Sequence, residues 1–356
     1  MIHFKNQLET TVSLVSLSKK WTGFLLLIIL ISCSKEKSID QIVPKQEIIQ
    51  IPQGFPEMEF PEDNKFSEER WLLGKKLFFD PILSIDGQIS CATCHKPSLA
   101  FADSNKFSDG VFARPGTSNS PSLANVGYHP YLLKEGGVPS LEMQVLVPIQ
   151  EENELNHNIV DIAAELDSIP EYVNMSLAAY NRRPDAFVIT RALATFQRSL
   201  ISGNSSYDKY FYQNKTSALT ASQIKGMELF FSARTLCSSC HGGFNFTNYA
   251  FENNGLDTIY EQEGRMRITM LEKDRALFKV PSLRNVGLSS PYMHNGKFTS
   301  LEEVVNHYNK GGEAHANRSD LLHPLKLSGE EKKDLVQFLH SLTDLDFTTK
   351  EIFNQN

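Results

Sequence analysis

CATCH at Cys91–His95 and CSSCH at Cys237–His241 are two copies of the pattern C-x-x-C-H. Two cysteines at this spacing bond to the edge of a porphyrin while the histidine that follows takes an axial place on its iron, so the pattern is the attachment site of a c-type haem. A redox dithiol or half of a zinc site would leave the histidine after each second cysteine as a coincidence, twice. A zinc site would also be expected to gather its ligand pairs in one small module, whereas these motifs lie far apart. The chain is therefore expected to carry two haem c groups, with Cys91, Cys94 and His95 holding one and Cys237, Cys240 and His241 the other.

Outward from these motifs the sequence is duplicated. Leu73–Phe79 (LGKKLFF) precedes the first motif and Ile224–Phe231 (IKGMELFF) the second; beyond them Pro121–Gly127 reads PSLANVG and Pro281–Gly287 reads PSLRNVG. A Ser-Leu-Glu begins at Ser140 in one copy and at Ser300 in the other, at the same distance from each proline. The surrounding patterns are helical. In 186–201, Ile189, Leu193, Phe196 and Leu200 share one face, and Thr220 with Gln223, like Ser328 with Glu331, form capping boxes. The expected fold is all-α, with two tandem cytochrome c-like domains near 62–205 and 215–345, each with one covalently bound haem.

The repeat also separates the two sites chemically. Carried along the chain, it pairs Pro148 of the first copy with Tyr308 of the second. Proline has no atom that can bind iron, whereas a tyrosine oxygen can. The first haem should be open on its distal side and the second closed. Met293 and His307 are the alternatives to Tyr308 as second axial ligand, after it in that order, and Tyr308 could equally be a packed aromatic.

The amino terminus points outside the cytoplasm. Gly23–Ile31 (GFLLLIILI) follows Lys19, Lys20 and Trp21 and leads into Ser32 and Cys33, a secretory signal ending in a sequence that resembles the lipobox of bacterial lipoproteins. That resemblance implies a signal peptide over 1–32, cleavage before Cys33 and a lipid on its thiol; a membrane-spanning anchor is the other reading, for which the apolar run is short. Residues 33–61 read as a tether. Loss of 1–32 removes three lysines and one glutamate and takes the formal charge from −7 to −9. An acidic chain without basic clusters is a poor nucleic-acid binder.

LGKKLFFDPILSIDGQISCATCHKPSLAFAD, NSPSLANVG, SLEMQ and FKVPSLRNVGLSSPYMHNGKFTSLEEVVNHY together resemble the bacterial di-haem cytochrome c peroxidases and their MauG-type relatives, over roughly 66–345. The resemblance implies a peroxidatic haem in the amino-terminal domain and an electron-transfer haem in the other. It places Gln144 and Glu154 at the distal catalytic pair, Gln144 to orient peroxide and Glu154 to move its proton. Without the resemblance, Glu154 belongs to an acidic run with Glu151 and Glu152 that would pass for a solvated face. The resemblance also implies an interdomain calcium ion held by the Asn119 side chain and the carbonyls of Ser289 and Pro291, and a homodimer is common among such proteins. His294 matches a family motif and is assigned no catalytic role.

Three departures stand out. Val111 occupies the place of a distal histidine that closes the resting peroxidatic haem in typical members, so prior reduction should be unnecessary. Tyr308 replaces a methionine ligand, as in the MauG branch. Lys134 replaces the tryptophan between the haems, leaving Tyr128, Tyr131 or Tyr292 as routes, and the one tryptophan of the main body, Trp71, reads as core. The leading expectation is a periplasmic, lipid-anchored peroxidase that reduces hydrogen peroxide with electrons from a small cytochrome c. The alternatives are MauG-like oxidation of a protein or organic substrate by peroxide-derived high-valent haem, and a non-enzymatic electron carrier.

Overall fold

A computed structural model describes residues 48–355. The signal sequence, Cys33 and the first part of the expected tether lie outside the described residues.

The chain is helical throughout: α1 (Glu68–Phe79), α2 (Cys91–Cys94), α3 (Leu141–Gln144), α4 (Leu146–Gln150), α5 (Ile159–Asp167), α6 (Pro170–Tyr180), α7 (Ala186–Arg198), α8 (Ser206–Phe211), α9 (Ala221–Phe230), α10 (Cys237–Cys240), α11 (Met266–Thr269), α12 (Leu301–Lys310), α13 (Gly329–His340) and α14 (Leu345–Thr349). Among the described residues the only ladder is a two-residue antiparallel pair, β1 (Phe251–Glu252) with β2 (Phe278–Lys279). None of the described helices is long and apolar enough to cross a membrane.

Two apolar cores organise these helices. The first gathers Trp71, Leu77, Phe78, Phe101, Ile189, Leu193 and Phe196, and the second Tyr207, Phe230, Phe246, Leu335 and Phe338. In each, the helix before the haem motif crosses a later helix at a repeated glycine. A Cβ on Gly74 would lie 1.9 Å from the Ala192 carbonyl, and one on Gly226 would lie 2.0 Å from the Asp334 carbonyl, so α1 on α7 and α9 on α13 close to backbone contact only because both residues are glycine. Trp71 is buried and donates its indole N–H to Ser199 Oγ at 2.8 Å, as core tryptophans do.

The expected face of 186–201 is buried, with Ile189, Leu193, Phe196 and Leu200 at most 1% exposed. The helix ends earlier than its apolar period, at Arg198, because the Ser199 N–H turns back to the Phe196 carbonyl and the Leu200 N–H to the Gln197 carbonyl. Both capping boxes form, Thr220 with Gln223 and Ser328 with Glu331.

Two outer stretches pack onto these cores, the first against expectation. Residues 48–61 do not hang free: Ile48 joins the first core, Met58 is buried, and Phe55 packs edge-on against Phe244 and Tyr128. Their apolar side chains outweigh the polar composition around them. At the other end, Phe347 and Phe353 cross back to Phe101 of the first core, at ring distances of 5.7 and 6.2 Å. The link between the halves is pinned from both repeats. Asn125 Oδ1 accepts from Ser202 N at 2.9 Å, Asn285 Nδ2 donates to Ser202 Oγ at 2.9 Å, and Asp344 Oδ2 accepts from the N–H groups of Gly203 and Asn204.

Candidate haem pockets and their distal residues

Each C-x-x-C stretch is one helical turn, α2 or α10, which brings its two thiols to one side and leaves the histidine as the residue that ends the turn. None of the four cysteines is in a disulfide. His95 Nδ1 lies 2.9 Å from the Phe101 carbonyl and His241 Nδ1 3.1 Å from the Phe246 carbonyl. An imidazole that donates Nδ1–H to a backbone carbonyl keeps Nε2 as a lone-pair donor, the arrangement a metal ligand needs. Burial lowers both rings' affinity for a proton, pushing His241 down to about 4, while the carbonyls of Pro121 and Pro281 pull the other way. The two prolines are the repeated residues of PSLANVG and PSLRNVG, so the duplicated motif serves the imidazole of each site. Two thiols on one turn with a neutral, oriented imidazole fit a covalently held haem in both halves.

The distal side of the first pocket is built by α3, α4 and the turn after them. Ser140 caps α3, and Gln144 ends it with a side-chain amide that no described residue hydrogen-bonds. The Glu154 N–H donates to the Glu151 carbonyl at 2.9 Å and the Leu155 N–H to the Pro148 carbonyl at 3.1 Å, which fixes the turn that presents Glu154. Burial raises the Cys91 thiol to about 12 and raises that of Cys94 as well, and the Glu154 carboxylate adds to both shifts, which puts it beside this thiol pair. Its own proton affinity is raised, first by burial and then by Glu151. Glu151, Glu152 and Glu154 all reach solvent, and Glu154 is the one set beside the thiol pair.

Val111 is buried, and its N–H donates to the Glu154 carbonyl at 2.9 Å. The loop can approach this closely because Gly110 has no Cβ, which would sit 2.1 Å from the Asn153 carbonyl. Where a histidine could have closed the site, a packed aliphatic residue holds the Glu154 turn instead.

In the second pocket, Tyr308 projects from α12, capped by Ser300. Its phenol is pushed up to about 12, first by burial, with Cys237 and Cys240 contributing, so it faces the second thiol pair as Glu154 faces the first. His307 is committed elsewhere, with Nε2 2.9 Å from the Asn254 carbonyl. Met293 Sδ accepts from Asn254 Nδ2 at 3.2 Å. Tyr308 is the candidate whose ionisation registers the thiols. Asn254, which composition and spacing did not single out, ties these three residues together: its amide also hydrogen-bonds the Tyr308 side chain and eases its ionisation. The Asn-Asn-Gly turn at 253–255 was its only signal.

Of the residues aligned with the calcium site, Asn119 is already engaged by a side-chain cation. Asn119 Nδ2 donates to the carbonyls of Asn105 and Lys106, and the Asn119 carbonyl accepts from the Lys134 ammonium at 2.6 Å. Among the described residues no group of three or more His, Cys, Asp or Glu side chains gathers to hold a metal. A dication brought against the Asn119 carbonyl would meet that ammonium, and no carboxylate of the set offsets the repulsion. Of the three tyrosines considered as inter-site routes, Tyr128 packs on Phe244 at 5.1 Å, Tyr131 is half exposed near Phe251, and Tyr292 bonds the Val286 carbonyl within the second half.

Comparisons with known proteins show the family. A family model described as di-haem cytochrome c peroxidase matches residues 68–216. The methylamine utilization protein MauG of Methylorubrum extorquens is 35% identical over 285 residues, covering 79% of this chain and 80% of that protein. The chain belongs to the di-haem cytochrome c peroxidase family. It carries two c-type haems accordingly. The cytochrome c551 peroxidase of Pseudomonas aeruginosa is 31% identical, covering 78% of this chain and 79% of its own. Among solved structures, a MauG-like protein associated with microbial copper homeostasis superposes with a TM-score of 0.81 at 30% identity, over 86% of this chain and 98% of that one. Family members named as peroxidases and as MauG are thus both close in sequence.

Proposed function

We propose that this protein reduces hydrogen peroxide to water, consuming two protons and two electrons per molecule, with the electrons supplied by a small cytochrome c or a similar redox protein. What supports the reading is the inequality of the two pockets: Glu154 beside the thiol pair of one, Tyr308 beside that of the other. When bound, the haems supply the site of O–O cleavage and the storage of electrons. The chain supplies the rest. His95 and His241 offer Nε2 with Nδ1 tied to a carbonyl. The Glu154 carboxylate takes the proton of one peroxide oxygen and returns it to the other, which leaves as water. Gln144, with its amide free, orients the peroxide, and Tyr308 Oη closes the second site against it.

A second reading, oxidation of a protein or organic substrate, is favoured by Val111 and Tyr308 and opposed by Lys134. Steady-state turnover with a reduced cytochrome against candidate organic substrates separates the two. Faster turnover with the cytochrome is expected, and peroxide consumption only with an organic substrate would overturn the first reading. We further propose a periplasmic location with a lipid anchor on Cys33, and a homodimer as in relatives.

A further inference from the structure

Residues 160 apart are equivalent in the two repeats, as Pro121 and Pro281 are in sequence. Structure keeps the offset. Asn125 and Asn285 are both left-handed, with φ of 61° and 60°, and the Leu132–Val138 bridge recurs as Tyr292–Phe298. On that offset Lys134 corresponds to His294, Ser118 to Phe278 and Asn119 to Lys279.

The corresponding places are filled differently. In the second repeat the His294 ring lies flat on Phe278, with centroids 4.1 Å apart and planes at 15°, and Tyr260 stacks on it at 5.8 Å. In the first, Lys134 reaches Ser118 instead and ends in an ammonium that donates to Ser118 Oγ at 2.7 Å, to the Asn119 carbonyl at 2.6 Å and to the His294 carbonyl at 2.7 Å. Two of these oxygens belong to one repeat and the third to the other. An ammonium has three N–H donors and no acceptor, so the three oxygens saturate it, and they hold the charge in a place where burial pushes the lysine down to about 7 while Glu135 pulls the other way. The junction is reciprocal. The Lys279 N–H donates to the Lys134 carbonyl at 2.7 Å, and Lys279 Nζ donates to the Tyr131 carbonyl at 2.6 Å, with His129 Nδ1 3.3 Å away. Each repeat thus sends one ammonium into a carbonyl of its twin.

Oxygens drawn from two halves onto one cation are what a hard metal ion provides at a junction, and here a side chain provides it with no ion to lose. We propose that the Lys134 ammonium is the resident cation of this junction, holding the two haem-bearing repeats in register in place of a divalent metal ion. The proposal borrows from the family reading only that both repeats carry haem. It follows that the two loops it joins, one leading into α3 with Gln144 and the other into α12 with Tyr308, keep their relative placement without calcium.

The test uses the full holoprotein. Elemental analysis of the wild type should find no stoichiometric calcium, and dialysis against excess EGTA should leave the melting midpoint, peroxide turnover and both haem potentials unchanged. Lys134→Met keeps the stem and removes the charge; it should lower the melting midpoint and shift both potentials downward, whereas Lys134→Arg should hold the potentials near wild type. If Lys134→Met does not load haem, Lys134→Arg and the chelation experiment decide alone. One tightly held calcium whose removal lowers stability or turnover would overturn the proposal, as would Lys134→Met with unchanged midpoint and potentials. Wild-type turnover measured in the same samples keeps the readings apart: calcium-free, EGTA-resistant protein with no peroxide turnover would count against the peroxidase and leave the clamp standing.

Discussion

Glu154 is the residue on which turnover should depend most. Its replacement by glutamine removes the group proposed to relay the peroxide proton while keeping the shape of the turn, so Glu154→Gln should load both haems and lose about two orders of magnitude or more in peroxide turnover. Wild-type rates in that variant would remove Glu154 from the mechanism. The carboxylate works in its ionised form, and burial together with Glu151 raises its proton affinity. The acid limb of the pH–rate profile should therefore lie above the ordinary glutamate range. Glu151→Gln removes one of the two causes and should move that limb to lower pH; a limb that stays put would assign it to another group. A second carboxylate serves stability. Burial alone would raise Glu142, but the Arg198 guanidinium, at 2.6 and 3.0 Å, and the Asn64 amide outweigh it and hold its proton affinity below the usual value of 4.5. Its stabilisation is full above that value and lost as pH falls through the lowered one. Breaking such a buried pair costs about 3–5 kcal/mol, so Glu142→Gln should melt well below wild type at pH 7 and converge with it in acid, as thermal melts at stepped pH would show.

At the scale of elements, the repeated glycines set how closely helices meet. Gly74→Ala or Gly226→Ala would drive a methyl into a carbonyl of the crossing helix, so α1 and α7, or α9 and α13, must part. Overpacking of this kind costs about 1–3 kcal/mol, measurable by denaturant unfolding, and no loss in either variant would mean that the helices do not close on those residues. Much at this scale was legible beforehand, because capping boxes and apolar faces are local: Thr220 with Gln223 and Ile189 with Phe196 act over a single turn or face. The early end of α7 was not, since the Ser199 and Leu200 N–H groups turn back against the apolar period. Nor was the docking of Ile48 and Phe55, which depends on partners far along the chain such as Phe244.

Across the whole molecule the same division holds. Two haem sites could be read from Cys91–His95 and Cys237–His241, because covalent attachment demands fixed spacing, and duplication supplies the internal comparison of Pro148 with Tyr308 on which their proposed inequality rests. Glu154 needed the family resemblance, since nothing in an acidic run sets one carboxylate apart until its place beside the Cys91 and Cys94 thiols is seen. Asn254 and the Lys134 clamp stayed hidden, because each acts through contacts between segments distant in sequence. Most of the account depends on one iron with a vacant distal place and one closed by Tyr308. Electron paramagnetic resonance of the as-purified ferric protein counts both at once: one high-spin signal that changes on adding cyanide, beside one low-spin signal that does not, is the expected result. Two low-spin signals, both indifferent to cyanide and peroxide, would contradict it.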